Sequence, residues 1–191
     1  MNLRTSTLVG LFLSLFLGLC LQSYSQRQTL VGLNFNSELY PEIVKPSIGA
    51  TLERQITRHS GVETGLYYRT QLSSGIITHT DASGSHDYSF TVSQRHLTLP
   101  VLYKYYSKVI NFSAGPTLDF YLAWKQKDNE FPYQMKSYDV ESIIKIGFLT
   151  KVSKVISLNE QLVLEPEIRF GSVQTLDEAG LGLGIGGKYR F

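Results

Sequence analysis

Histidine is the side chain most often recruited for proton transfer and metal binding, and this chain holds four: His59, His79, His86 and His96. His79 and His86 stand seven residues apart in a polar stretch. That spacing is too loose for a metal signature, and surface loop residues account for it. His59 and Ser60 are adjacent in a turn. A nucleophile and its base need converging side chains, which neighbours in a turn do not supply. His96 with a distant Ser or Asp is the dyad a lipid hydrolase would use, and no motif accompanies it. Asp81 and Asp87 flank Gly84 and would bind a hard cation only weakly; loop composition alone explains them. The glycine-rich stretch 180–187 runs into a strand end rather than a helix, so it is no phosphate-binding loop. These residues assign no catalytic, cofactor or metal site, and the chain reads as a non-enzyme.

The charges carry a clearer pattern. Alternation places the acids Glu53, Glu63, Asp119, Glu141, Glu165 and Glu167 on one face of their strands, and on the same face the bases Arg69, Lys104, Lys145, Arg169, Lys188 and Arg190. The signs balance. If that face lines the inside of a narrow barrel, the groups must pair, because unpaired buried charge is costly. The expected result is an ion-pair network plugging the lumen, with Glu165 and Glu167 bonded to Lys188 and Arg190 on the next strand. A proton or ion pathway is the sharper reading, and the spacing does not favour it.

The elements that position these charges are strands. Residues 180–191 alternate Leu181, Leu183, Ile185, Tyr189 and Phe191 with Gly182, Gly184, Gly186, Lys188 and Arg190. One face is apolar and the other is glycine and cation. Similar runs cover 29–39, 46–56, 62–72, about 88–106, 109–124, 138–152 and 161–173. The reading is all-β: an eight-stranded antiparallel up-and-down transmembrane β-barrel with lipid outside and a polar interior. Pro100 cannot donate to a ladder, which predicts a bulge or kink there. Long polar loops at 73–87 and 125–137 then fall on the outer side. Tight turns at 58–61 and 107–108 fall on the periplasmic side, the asymmetry such barrels show. Aromatic rims are expected from Tyr103, Tyr105, Tyr189 and Phe191 on the periplasmic side, and from Tyr68, Phe120, Tyr121 and Trp124 outside.

The totals agree with this reading. The formal net charge of +2 implies no nucleic acid or other polyanion as partner. Residues 1–25 read as an export signal: Arg4, an apolar stretch at 8–21, then Ser23-Tyr24-Ser25 as the cleavage site. The one cysteine, Cys20, lies inside this segment after Leu19, where a lipoprotein signal carries a small residue. The domain expected to remain is 26–191, without a disulfide or thiol nucleophile.

Several stretches resemble the PorT-like outer-membrane β-barrel domain family: GVETGLYY at 61–68 after a tight turn, HLTLPVLYKYY at 96–106 with its mid-strand proline, FSAGP at 112–116, and the glycine-rich strand ending Tyr189-Arg190-Phe191. The resemblance implies an eight-stranded barrel in the outer membrane. The family's named member belongs to a protein-secretion apparatus, so an envelope or secretion assembly is the implied setting. No functional residues are carried over. The expectation is therefore a small plugged barrel in outer-membrane lipid, with a structural or interaction role and a protein partner met through its outer loops. A lipid-modifying enzyme, a small-solute pore and a soluble periplasmic lipocalin-like binder are the alternatives.

Overall fold

Strands with β-branched and aromatic residues on one face and small or charged residues on the other need a neighbour on both edges. The computed structural model shows how this chain meets that need, and it describes residues 28–40, 43–81, 84–128, 143–173 and 179–191. The proposed signal segment with Cys20, Glu141, most of the stretch 125–137, and the connection 175–178 lie outside the described residues.

The strands are β1 (Thr29–Tyr40), β2 (Ile43–Gln55), β3 (Ser60–Asp81), β4 (Gly84–Tyr105), β5 (Asn111–Asp128), β6 (Ile144–Ser153), β7 (Ile156–Ser157), β8 (Leu162–Val173) and β9 (Ala179–Arg190). Each long strand pairs antiparallel with its sequence neighbour. β9 returns to β1, and β6 pairs with β8 past the two-residue β7. Eight strands thus close a barrel, and β7 is a short arm inside the 153–160 turn that pairs with β8 at Ile156 and Ser157, with the backbone N–H groups of Lys154 and Leu158 donating to Pro166 and Leu162 beside it.

Burial is inverted relative to a water-soluble domain. Leu33, Ile146 and Leu183 are 68%, 65% and 62% exposed, while Glu63, Lys104 and Glu165 are 0% exposed. Exposed apolar side chains recur on every long strand and form a continuous outer belt. Tyr103, Tyr105, Tyr189 and Phe191 are exposed at the tight-turn end, with Tyr189 and Phe191 packed edge to face. At the other end Tyr68 is exposed, but Tyr121 turns inward against the His96 ring. A register shift there leaves Leu122 unpaired and moves Trp124 opposite Gln94, onto the inner face.

Three sequence expectations change. The stretch 73–87 is not a loop: β3 and β4 stay paired out to Asp81 opposite Gly84. Its Thr, Ser and Ile residues suit strand, and Gly84, at φ 133°, supplies the left-handed conformation for the reversal. The stretch 125–137 likewise begins as strand, with β5 reaching Asp128. Pro100 causes no bulge. Pairing of β3 with β4 lapses between Thr64 and Tyr67 and resumes in the same register. The carbonyl of Pro100 instead accepts the Thr64 hydroxyl at 2.8 Å. The bulges lie further out, at Thr91/Val92 and Arg95/His96.

Candidate functional site

The inner faces of the strands bring their charges together along the barrel axis. Glu53 on β2 and Glu63 on β3 are direct cross-strand partners, and like charges so placed repel. Two lysines from other walls resolve this. Lys104 on β4 and Lys188 on β9 donate to Glu53 Oε2 at 2.8 and 2.6 Å. Both also contact Glu165 of β8, and both lie about 3.5 Å from Glu63 Oε2, at 3.5 and 3.6 Å. Tyr106 donates to the other Glu53 oxygen at 2.9 Å, and Ser153 donates to Glu165 at 2.6 Å.

The next step along the axis repeats the motif. Lys151 on β6 bridges Glu63 and Glu167, the latter at 2.9 Å. Arg169 Nε lies 3.0 Å from Glu167 and stacks over the Tyr67 ring at 4.9 Å. Asn36, with its amide turned to satisfy its neighbours, donates to Glu167 and accepts from Arg169, each at 2.8 Å. Nearer the β3–β4 hairpin, Arg69 pairs with Asp119 at 3.0 Å and approaches Glu38 to 3.6 Å. Thr98 adds a hydroxyl bond to Asp119.

The glycines of β9 make this possible. A Cβ on Gly184 would sit 2.2 Å from the Asn36 amide and 2.9 Å from Glu167. The bare face of β9 is therefore the space into which the β1 and β8 side chains fit. Leu102, Leu149 and Val163 fill the remaining gaps between the polar groups.

Nine of the predicted inner charges are buried and paired here: Glu53, Glu63, Arg69, Lys104, Asp119, Glu165, Glu167, Arg169 and Lys188. Lys145 is half-buried opposite Asp119 on β6, and Arg190 is half-buried near the barrel end. The pairing of Glu167 differs from expectation: it bonds Lys151 and Arg169, while Arg190 lies level with Leu30 and Gln161. Two members were not collected from the sequence, Glu38 and Lys151, although both share the inward parity of their strands.

The arrangement is one of charges that satisfy one another across the lumen. Glu53, Glu63 and Glu165 offer oxygens within 4.8 Å of one another, a donor set a hard cation would take. The Lys104 and Lys188 ammonium groups already occupy that role. A cavity of about 30 Å³ lies beside Tyr67, Arg69, Asp119 and Arg169. That holds roughly one or two waters and no solute. His96 is buried, with Nε2 3.3 Å from the Gln94 side-chain oxygen. His59 stacks on Tyr105 at the tight-turn end, while His96 lies nine residues before Tyr105 in the middle of β4, so the two histidines are not brought together.

Comparison with known proteins agrees with this geometry. The outer membrane protein OprG of Pseudomonas aeruginosa is similar in structure, at 12% identity and a TM-score of 0.52, over 89% of this chain and 98% of that one. The Neisserial surface protein A is similar at 12% identity and a TM-score of 0.47, over 87% and 98%. None of the curated proteins compared matches the sequence. Residues 11–191 match the family described as the outer membrane protein beta-barrel domain. A closed barrel with an apolar exterior and an ion-paired interior, matched over nearly its whole length, places this chain in the outer membrane protein beta-barrel domain family.

Proposed function

We propose that this outer-membrane barrel conducts nothing, and that it serves as a scaffold whose outer strand extensions meet a protein partner. The observation that carries this is the lumen. Buried carboxylates and cations from β2, β3, β4, β6, β8 and β9 meet across it in direct ion pairs. A solute would have to break several of these at once. With each broken buried pair costing about 3–5 kcal/mol, thermal opening is negligible.

The lipid-facing belt fixes the barrel's depth in the membrane and leaves the outer ends of β3, β4 and β5 above it. Those ends are the surface a partner would meet. Within the family, the GVETGLYY, HLTLPVLYKYY and FSAGP stretches support membership of the PorT-like branch. That branch supports a place in an envelope or secretion assembly. Export through cleavage after residue 25 is part of the same proposal.

Planar lipid bilayers test the reading. Purified, refolded protein is expected to leave the bilayer silent at voltages where an open barrel of this size would show steps. Reproducible unitary conductance from the unmodified protein would replace the scaffold reading with a pore.

A further inference from the structure

The β2–β3 ladder ends abruptly. Its last pair is Ser47 with Arg69, although β3 continues to Asp81. The hydrogen-bond phase explains the stop. In an antiparallel ladder, successive residues of a strand turn their N–H and C=O to opposite neighbours. On β3 the carbonyl of Ser60 accepts from Ile56 on the β2 side, and that of His59 accepts from Tyr106 on the β4 side. Even-numbered residues of β3 therefore face β2. The register with β4 is unbroken from Tyr67 to Asp81, so the phase holds to the tip. The next bonded pair after Ile48 with Tyr68 would be residue 46 with Thr70. Residue 46 is Pro46, which has no N–H to donate.

Beyond that point the backbone groups of Thr70, Leu72, Ser74, Ile76, Thr78 and Thr80 face an edge that no strand among the described residues pairs. The twelve residues past Arg69 make about 40 Å of strand at ~3.4 Å each. Exposed edges are normally guarded by lysine, proline, a bulge or inward charge. From 70 to 80 the sequence is TQLSSGIITHT, with no proline, lysine, arginine or carboxylate. Its pairing with β4 has no bulge. The chain as a whole does not avoid charge, at 18% Asp, Glu, Lys and Arg.

We propose that this edge is a docking site for an extended polypeptide segment, which adds to β3 as an antiparallel strand. It deepens the scaffold reading above and rests on it. Recognition is through main-chain N–H and C=O groups, with alternate side chains supplying selectivity. The partner segment is low in charge, because the stretch 70–80 offers no lysine, arginine or carboxylate to pair with. It runs down toward the membrane, antiparallel to β3. That direction distinguishes it from a second copy in the same membrane. Two such barrels hold β3 in the same sense, so their edges can meet only in parallel.

The test uses the full chain in lipid nanodiscs, panned against a phage library of random dodecapeptides. Enriched peptides are then synthesised and their binding measured by fluorescence anisotropy. Ile76→Pro removes an N–H that faces the open edge and leaves the β4 ladder intact. It is expected to weaken binding about tenfold or more, as lost main-chain bonds and a steric clash require. Ser74→Pro has the same backbone phase and must act alike, whereas Ile76→Thr keeps the donor and must bind as the parent does. A preserved heat-dependent gel shift certifies each variant's fold.

Enriched peptides that bind the proline variants as tightly as the parent overturn the proposal, and so does a selection that enriches nothing. A dimer in nanodiscs that Ile76→Pro abolishes would replace the partner segment by a second copy. Conductance would sink the scaffold reading on which this proposal rests, whereas failed peptide binding by a silent barrel would sink this proposal alone, so the two failures are distinguishable.

Discussion

Replacing Lys104 by methionine should destabilise the barrel more than most single substitutions can. The lysine ammonium is fully buried, 2.8 Å from Glu53 and 3.5 Å from Glu63, and in direct contact with Glu165. Methionine keeps most of the length and removes the charge. Three buried carboxylates are then left to Lys188 and Lys151. Removing one partner of a buried ion pair costs about 3–5 kcal/mol, because the remaining charge is uncompensated. That corresponds to a fall of roughly 10²- to 10⁴-fold in the folding equilibrium constant. Reversible urea unfolding in lipid vesicles, followed by the fluorescence of the single tryptophan, Trp124, measures it. The companion variant Glu165→Gln, alone and with Lys104→Met, completes a double-mutant cycle. The double variant should be less destabilised than the sum by about 1–3 kcal/mol. A loss under about 1 kcal/mol for Lys104→Met, within the range of ordinary substitutions, together with additivity in the cycle, would refute the reasoning. The network would then be a geometric coincidence rather than a source of stability.

Other substitutions test separate parts of the account. Tyr106→Phe deletes the hydroxyl bond to Glu53 and should cost about 1.5–3 kcal/mol in the same unfolding assay, the range for a bond to a charged group. Gly184→Ala drives a methyl into the Asn36 amide, whereas the Cβ position of Gly187 meets nothing within 4 Å. The first should lose about 1–3 kcal/mol by overpacking, and the second should unfold at the parent's urea midpoint. Leu33→Arg on the lipid face should cost about 2–4 kcal/mol in a bilayer if Leu33 lies near the midplane. A water-exposed leucine would tolerate the same change.

Much of this architecture was legible in the sequence because strand periodicity is a strong signal where one face meets lipid. The inward charges of β2, β3, β8 and β9 follow directly from alternation. Glu38 and Lys151 carried the same signal: Glu38 stands two residues from Asn36, which is buried on β1, and Lys151 stands six residues from Lys145, read as inward on β6. What alternation cannot give is who pairs with whom. Glu167 meets Lys151 and Arg169 rather than Arg190, because strand stagger sets the height at which each side chain enters the lumen. Nor does polarity distinguish a loop from a strand once both faces leave the membrane. The stretch 73–87 lost its apolar alternation and read as loop, yet its backbone stays paired. Pro100 was legible as a ladder fault but not as a benign one, since the Thr64 hydroxyl that meets its carbonyl comes from another strand. The consequence of Pro46 was invisible without the register, because only the hydrogen-bond phase shows that its missing N–H is the one β3 needed.

The central claim is that the apolar face meets lipid around a closed, ion-paired interior. Electrophoresis of the folded protein, unboiled and boiled, beside fractionation of the cell envelope, tests it most directly. The account predicts a heat-dependent mobility shift for protein recovered from the outer-membrane fraction. A single mobility, with the protein soluble in the periplasm, would mean that the apolar belt is covered by something other than lipid, and would contradict the account.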